Sequence, residues 1–326
     1  MIENLGNHPA ILIVFSVLIL GMLVLDLGVF NKNAHRVSSK EAAIWTLVWI
    51  SLSMLFSVFV LTQTSVEKFS QFQSAYWIEK ALSVDNLFVF ILVFNFFKVP
   101  EESHHKVLFW GIIGALLMRA LFIFSGVGLI NFTYLPDMNL FNRVVSINLV
   151  LTGFGIFLIY AGIKSWFADD DDEDQDFSKS RGARLIHKLF KVSDHFDKDK
   201  FFTVENGVKV ATPLLVVVGV IEFTDLLFAV DSIPAIFSIA PDDPFILYTS
   251  NIFAILGLRS MYFLLSNFIH MFSKLKYGLA IILTFIGLKM VISPFYHIDT
   301  LVSLLIVLSV LVGSVILSIL STKPQQ

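Results

Sequence analysis

Cysteine is absent from all 326 residues, so this chain builds no disulfide, thiolate metal site or cysteine nucleophile. Charge is scarce. Asp, Glu, Lys and Arg make up 15% of the chain, against about 25% in average globular proteins. No Lys or Arg precedes the first apolar run. That run therefore lacks the basic start of a secretory signal and reads as a retained helix. There is no P-loop, no nucleophile–base constellation and no His beside the acids of the apolar runs, which argues against an enzyme. No nucleic-acid partner and no permanently bound cofactor is expected.

What is abundant is apolar sequence: 56% of residues, in continuous runs of about 20 residues, the length that crosses a bilayer as a helix. The runs do not alternate as barrel strands would. The fold class expected is an all-α polytopic membrane protein with about nine transmembrane helices. They lie near 10–30, 43–62, 74–97, 107–131, 144–167, 210–239, 246–269, 276–294 and 300–320. Lys and Arg concentrate in alternate loops: Lys32, Arg36 and Lys40; Lys98 and Lys106; Lys179 to Lys209; Lys274 and Lys276; and Lys323. The other loops carry only Lys68 and Arg143. The positive-inside rule then sets the N-terminus outside and the C-terminus in the cytoplasm. The one long polar segment, 168–209, opens with the acidic run 169–174 and reads as a solvated cytoplasmic linker. It contains no EF-hand pattern. His104 and His105 read as solvated loop residues.

The linker divides two similar halves. WIEKALSVDNLF carries Glu79 and, six residues on, Asp85; TDLLFAVDSI carries Asp225 and, six residues on, Asp231. The next run of each half carries Arg119 or Arg259, and the third carries Lys164 in YAGIKS or Lys289 in FIGLKM. Three runs per repeat is an odd number, so the copies enter the membrane from opposite sides. Two inverted three-helix repeats, 74–167 and 210–295, are expected, with two helices before them (1–73) and a last helix and tail after (296–326). Such repeats place a transported ion near the midplane, at their interface.

An acid at a helix centre costs about 2.5–3.5 kcal/mol. Glu79, Asp85, Glu222, Asp225 and Asp231, with Asp26 near one end, form an expensive set. They outnumber Arg119 and Arg259 in the deep region, which suits a cation. Asn86, Ser83, Ser232, Thr224 and Asn251 add further oxygens, and oxygen ligands fit Mg, Ca or Mn rather than Zn or Cu. The candidate metal residues are Asp85, Asp231, Glu79, Asp225, Glu222, Asn86 and Ser232, with Arg119 and Arg259 as charge partners. Residues six apart on a regular helix lie about 9 Å and about 120° apart. Asp225 and Asp231 therefore share an ion only if the helix breaks, and Pro234, which frees the carbonyl of Val230, predicts a kink or unwound turn at 230–234. Otherwise Asp85 pairs with Asp231 across the two-fold. Glu222 and Asp225, one turn apart, form a second stop or carry protons.

The strings IEKALSVDNLFVF, ATPLLVVVGVIEFTDLLFAVDSIPAIF, TSNIFAILGLRSMYFLL and LKYGLAIILTFIGLKM resemble the TerC family of bacterial integral membrane proteins, and within it the Alx-type members. The resemblance covers nearly the whole chain, including FFTVENG and FYHI. It implies export of Mn²⁺ across the cytoplasmic (inner) membrane by the acids at 79, 85, 222, 225 and 231. Two alternatives stay open. One is a membrane scaffold or assembly factor whose acids are structural salt bridges. The other is tellurite-related transport, which would want Arg119 and Arg259 exposed.

Overall fold

The computed structural model describes residues 8–30, 38–136, 138–140, 143–167, 176–268, 275–296 and 298–321. The acidic run 169–174 lies outside them. In chain order the helices are α1 (Pro9–Phe30), α2 (Ser39–Gln63), α3 (Val66–Phe96), α4 (Glu101–Phe132), α5 (Leu149–Trp166), α6 (Arg181–Leu189), α7 (Pro213–Phe237), α8 (Pro244–Leu256), α9 (Leu258–Phe268), α10 (Leu275–Ile292) and α11 (Thr300–Ser321). Among the described residues, α2, α4, α5, α7 and α11 are long and apolar enough to cross a membrane. The molecule is thus a mostly helical, polytopic membrane protein. α3 has the length, but its middle carries Glu79, Lys80 and Asp85.

Polar residues at the helix starts set the boundaries. Ser38, Ser65, Asn148 and Asp243 each accept a bond from the backbone N–H three residues on, at 3.0–3.3 Å, and begin α2, α3, α5 and α8. Each satisfies a donor that the first turn leaves without a helical partner. Large apolar side chains such as Leu20, Leu55, Leu117, Leu305 and Leu317 point outward and are more than half exposed. On a molecule in water such a surface would drive aggregation; against lipid tails it is the expected face.

The interior is held by two kinds of contact. An aromatic cluster joins four helices: Phe15 (α1), Phe56 (α2), Phe72 (α3) and Phe253 (α8), with Phe56 and Phe253 rings 4.8 Å apart. Small residues allow close helix approach elsewhere. α5 packs on α10 more extensively than any other pair of elements. Gly162 lies against Ala280 and Thr284, and Gly287 lies against Gly155 and Ile159. A Cβ on Gly155 would stand 2.9 Å from the carbonyl oxygen of Gly287, so the backbones touch. Gly153, two residues earlier on α5, has nothing nearby and makes no such contact.

The structure corrects four expectations. α7 is helical without interruption from 213 to 237, so no turn unwinds at 230–234. Pro234 still leaves the carbonyl of Val230 without its helical bond, but the backbone holds helical geometry through that position. The break lies instead between α8 and α9, at Gly257. The linker is not merely solvated. From 176 to 211 the chain forms a short 3-10 turn, α6, and a hairpin of β3 (Phe202–Glu205) and β4 (Val208–Ala211) closed by Asn206 and Gly207 at positive φ. α6 packs on α7 where Gly182 meets Gly219 backbone to backbone. A second hairpin, β1 (Met138–Leu140) with β2 (Arg143–Val145), joins α4 to α5, so the described residues are helical with two small hairpins rather than strictly all-α. Finally, α4 begins at Glu101 rather than 107, and its first five residues include His104 and His105. His105 is buried against the ring of Phe263, and His104 stacks on Phe94 with its Nδ1 3.1 Å from the Tyr262 hydroxyl. They pack; they are not solvated loop residues.

Candidate functional site

α3 and α7 each bring one acid to the same buried point. Glu79 is on α3 and fully buried; Asp225 is on α7 and 4% exposed. Between them stands Arg119 of α4, itself 1% exposed. Its Nη1 forms an ion pair with Glu79 and donates to Asn251 Oδ1 of α8 at 3.0 Å. Its Nη2 lies 3.6 Å from Asp225 Oδ1, an ion pair longer than a hydrogen bond. The Asn251 amide donates to Glu79 Oε2 at 3.0 Å, and the Ser83 hydroxyl donates to Glu79 Oε1 at 3.1 Å. Asn86, also buried, faces Asp225. Four helices thus meet through one charge network.

Satisfaction is uneven. Glu79 is bonded at both oxygens. Arg119, which offers five N–H donors, leaves Nε and Nη2 without a hydrogen-bond acceptor among the described residues. The Ser232 hydroxyl, buried on α7, likewise has none there. Ser232 lies seven residues beyond Asp225, which on a helix is about 10 Å further along the same face.

Other expected site residues fall elsewhere. Glu222 is half-buried on α7 with its carboxylate against Gly114 of α4, in the space a Cβ there would fill. The Thr224 hydroxyl bonds its own helix at Val220 O, 2.8 Å away. Arg259 is buried on α9, in the first turn after the Gly257 break. Asp85 and Asp231 sit on α3 and α7, but their side chains lie outside the described residues, as does that of Asp26. Among the described residues no three carboxylate or imidazole side chains gather as a metal centre would need.

Two buried cations have positions that the sequence pattern did not reveal. Lys80 on α3 is 4% exposed, and its Nζ donates to Ala254 O at 3.2 Å. Ala254 lies in the last turn of α8, where carbonyls lack helical partners and the helix dipole favours a cation. Gly257 leaves the room: a Cβ there would stand 2.7 Å from Nζ. Lys68, expected in a loop, is buried in the first turn of α3 and meets Asp243 at 2.6 Å. The signal in both cases was a lone charge beside an apolar run, without its partner, which lies more than 170 residues away.

Residues 64–326 match the Integral membrane protein TerC family, and the chain belongs to it. Within that class it is 41% identical over 313 residues to the protein of Escherichia coli strain K12 named "Putative membrane-bound redox modulator Alx", covering 93% of this chain and 92% of that protein. It is also 41% identical over 319 residues to "Uncharacterized membrane protein STKORF319" of Myxococcus xanthus (97% and 94% covered), and 37% identical over 309 residues to an uncharacterized membrane protein of Rickettsia bellii (94% and 96% covered). No solved structure matches the chain.

Proposed function

We propose that the chain is a secondary transporter that exports Mn²⁺ from the cytoplasm across the bacterial inner membrane, by alternating access around acids contributed from two inverted repeats. The observation that carries this is the meeting of Glu79 and Asp225. They hold corresponding places in WIEKALSVDNLF and TDLLFAVDSI, and both are buried within reach of one guanidinium. Buried acids inside a membrane bundle are the usual mark of an ion path.

The packing supports the repeat. Lys164 and Lys289 differ by 125 positions (289 − 164). The same offset carries Gly162 to Gly287, Gly155 to Ala280 and Ile159 to Thr284. The contact of Gly162 with Ala280 and Thr284 therefore has as its image the contact of Gly287 with Gly155 and Ile159, and both are present. A two-fold axis exchanges contacts in this way. The orientation, N-terminus outside, rests on the Lys and Arg distribution, and the choice of manganese and of export rests on the family resemblance. The name of the Escherichia coli relative speaks of redox modulation. With no cysteine in the chain, such an effect here would not use its own thiols.

A second reading has its own observation: Arg119 neutralises Glu79, as in a scaffold locked by buried salt bridges. One experiment separates them. Cells lacking their own exporters, loaded with manganese, should hold less of it when they express this chain, and Asp231→Asn at matched membrane abundance should abolish the effect. Equal manganese with and without the wild-type chain would remove the export reading.

A further inference from the structure

Arg119 occupies the place where a cation would bridge the two repeats. Around its guanidinium stand Glu79 from α3, Asp225 from α7 and the Asn251 carbonyl from α8, with the Ser83 hydroxyl on Glu79. These are the hard oxygen donors that a divalent ion takes. The charge count also favours exchange. Two carboxylates and one Arg leave one negative charge; two carboxylates and one divalent ion leave none. A buried guanidinium kept only for structure would be expected to use its donor fork fully. Here Nη1 is hydrogen-bonded, Nη2 reaches Asp225 only at 3.6 Å, and Nε has no acceptor among the described residues, so the guanidinium is held chiefly by charge, which a divalent ion supplies in larger measure.

We infer that Arg119 is a tethered substitute for the transported ion: it holds Glu79 and Asp225 together when no metal is bound, and a divalent cation must displace it to bind. This rests on the transporter reading above. Arg119 then sets both affinity and release. It lowers apparent metal affinity by competing, and its return to the carboxylates expels the ion. It also keeps the empty carrier from holding two bare carboxylates in a dry core, a state that is strongly unfavourable. Asn251, bonded to both Glu79 and Arg119, keeps the two in register.

The test uses the full-length chain in detergent, with thermal unfolding followed as MnCl₂ is added. Arg119→Gln should unfold at lower temperature than wild type without metal. Mn²⁺ should restore it, with half-saturation lower than in wild type by about tenfold or more, the effect of removing one close competing charge. Arg119→Lys keeps a cation that cannot span both carboxylates, and should fall between the two. It also serves should Arg119→Gln not fold, since unchanged half-saturation in Arg119→Lys overturns the inference. So does a Mn²⁺ shift in Arg119→Gln no larger than that of wild type. Wild-type Mn²⁺ flux in proteoliposomes is measured in parallel. Flux with no gain in the variants overturns only the substitute role, whereas absence of flux removes the transporter reading with it.

Discussion

At the scale of single residues, the molecule depends on buried charges that must be paired. Lys68 and Asp243 form one such pair, at 2.6 Å and nearly sealed from solvent. Replacing Lys68 by Met removes the cation that meets this buried carboxylate at 2.6 Å and should cost about 3–5 kcal/mol. Adding Asp243→Asn keeps an acceptor for the Ile246 N–H and should recover part of that loss, giving a coupling above about 1 kcal/mol in a double-mutant cycle read by unfolding. Additive effects would mean that the pair does not act as a unit. Gly114 offers a different probe. Alanine there displaces the Glu222 carboxylate, the free end of a flexible side chain, so stability should change by less than about 1 kcal/mol. If Glu222 lies on the ion path, flux should nevertheless change. Unaltered flux would place Glu222 off the path. The acids themselves were legible from the sequence, because a carboxylate in an apolar run stands out by cost alone. The partner of each was not. Asn251 was visible as one oxygen among several, and nothing in the linear order showed that it joins Glu79 to Arg119 from 172 positions away.

At the scale of elements, hydropathy located the helices well, since continuous apolar runs leave few alternatives. It failed where tertiary packing decides. Pro234 attracted the expected break, yet α7 runs through it; Gly257, with no proline beside it, carries the break instead. A glycine inside an apolar run does not reveal that a lysine from another helix needs its space. The same holds for α6, which looks like a polar linker until Gly182 is seen against Gly219. The α5–α10 crossing gives the sharpest test at this scale. Gly287→Ala places a Cβ in the backbone of Gly155 and the side chain of Ile159, so the helices must separate. The expected loss is about 1–3 kcal/mol, as for other overpacked contacts, with little change for Gly153→Ala. Equal unfolding of the two variants would contradict the contact.

At the scale of the whole molecule, the account requires one topology. The absence of native cysteine makes every introduced cysteine a unique reporter. A cysteine at Asp242, exposed between α7 and α8, should react with a membrane-impermeant thiol reagent in intact cells. Cysteines at Lys98 or Lys179 should react only after the membrane is opened. Labelling of 98 or 179 from outside would invert the orientation and with it the direction of transport. On the proposed reading, the contact exchange between α5 and α10 ties this topology to function, because inverted repeats can present one site to either side in turn. What makes the molecule a carrier rather than a salt-bridged scaffold is whether Glu79 and Asp225 handle an ion. The most direct measurement is Mn²⁺ flux into proteoliposomes holding equal amounts of folded wild type or Asp225→Asn. The account predicts flux for wild type and loss of most of it for the variant. No wild-type flux above empty vesicles, or a variant as fast as wild type, would contradict it.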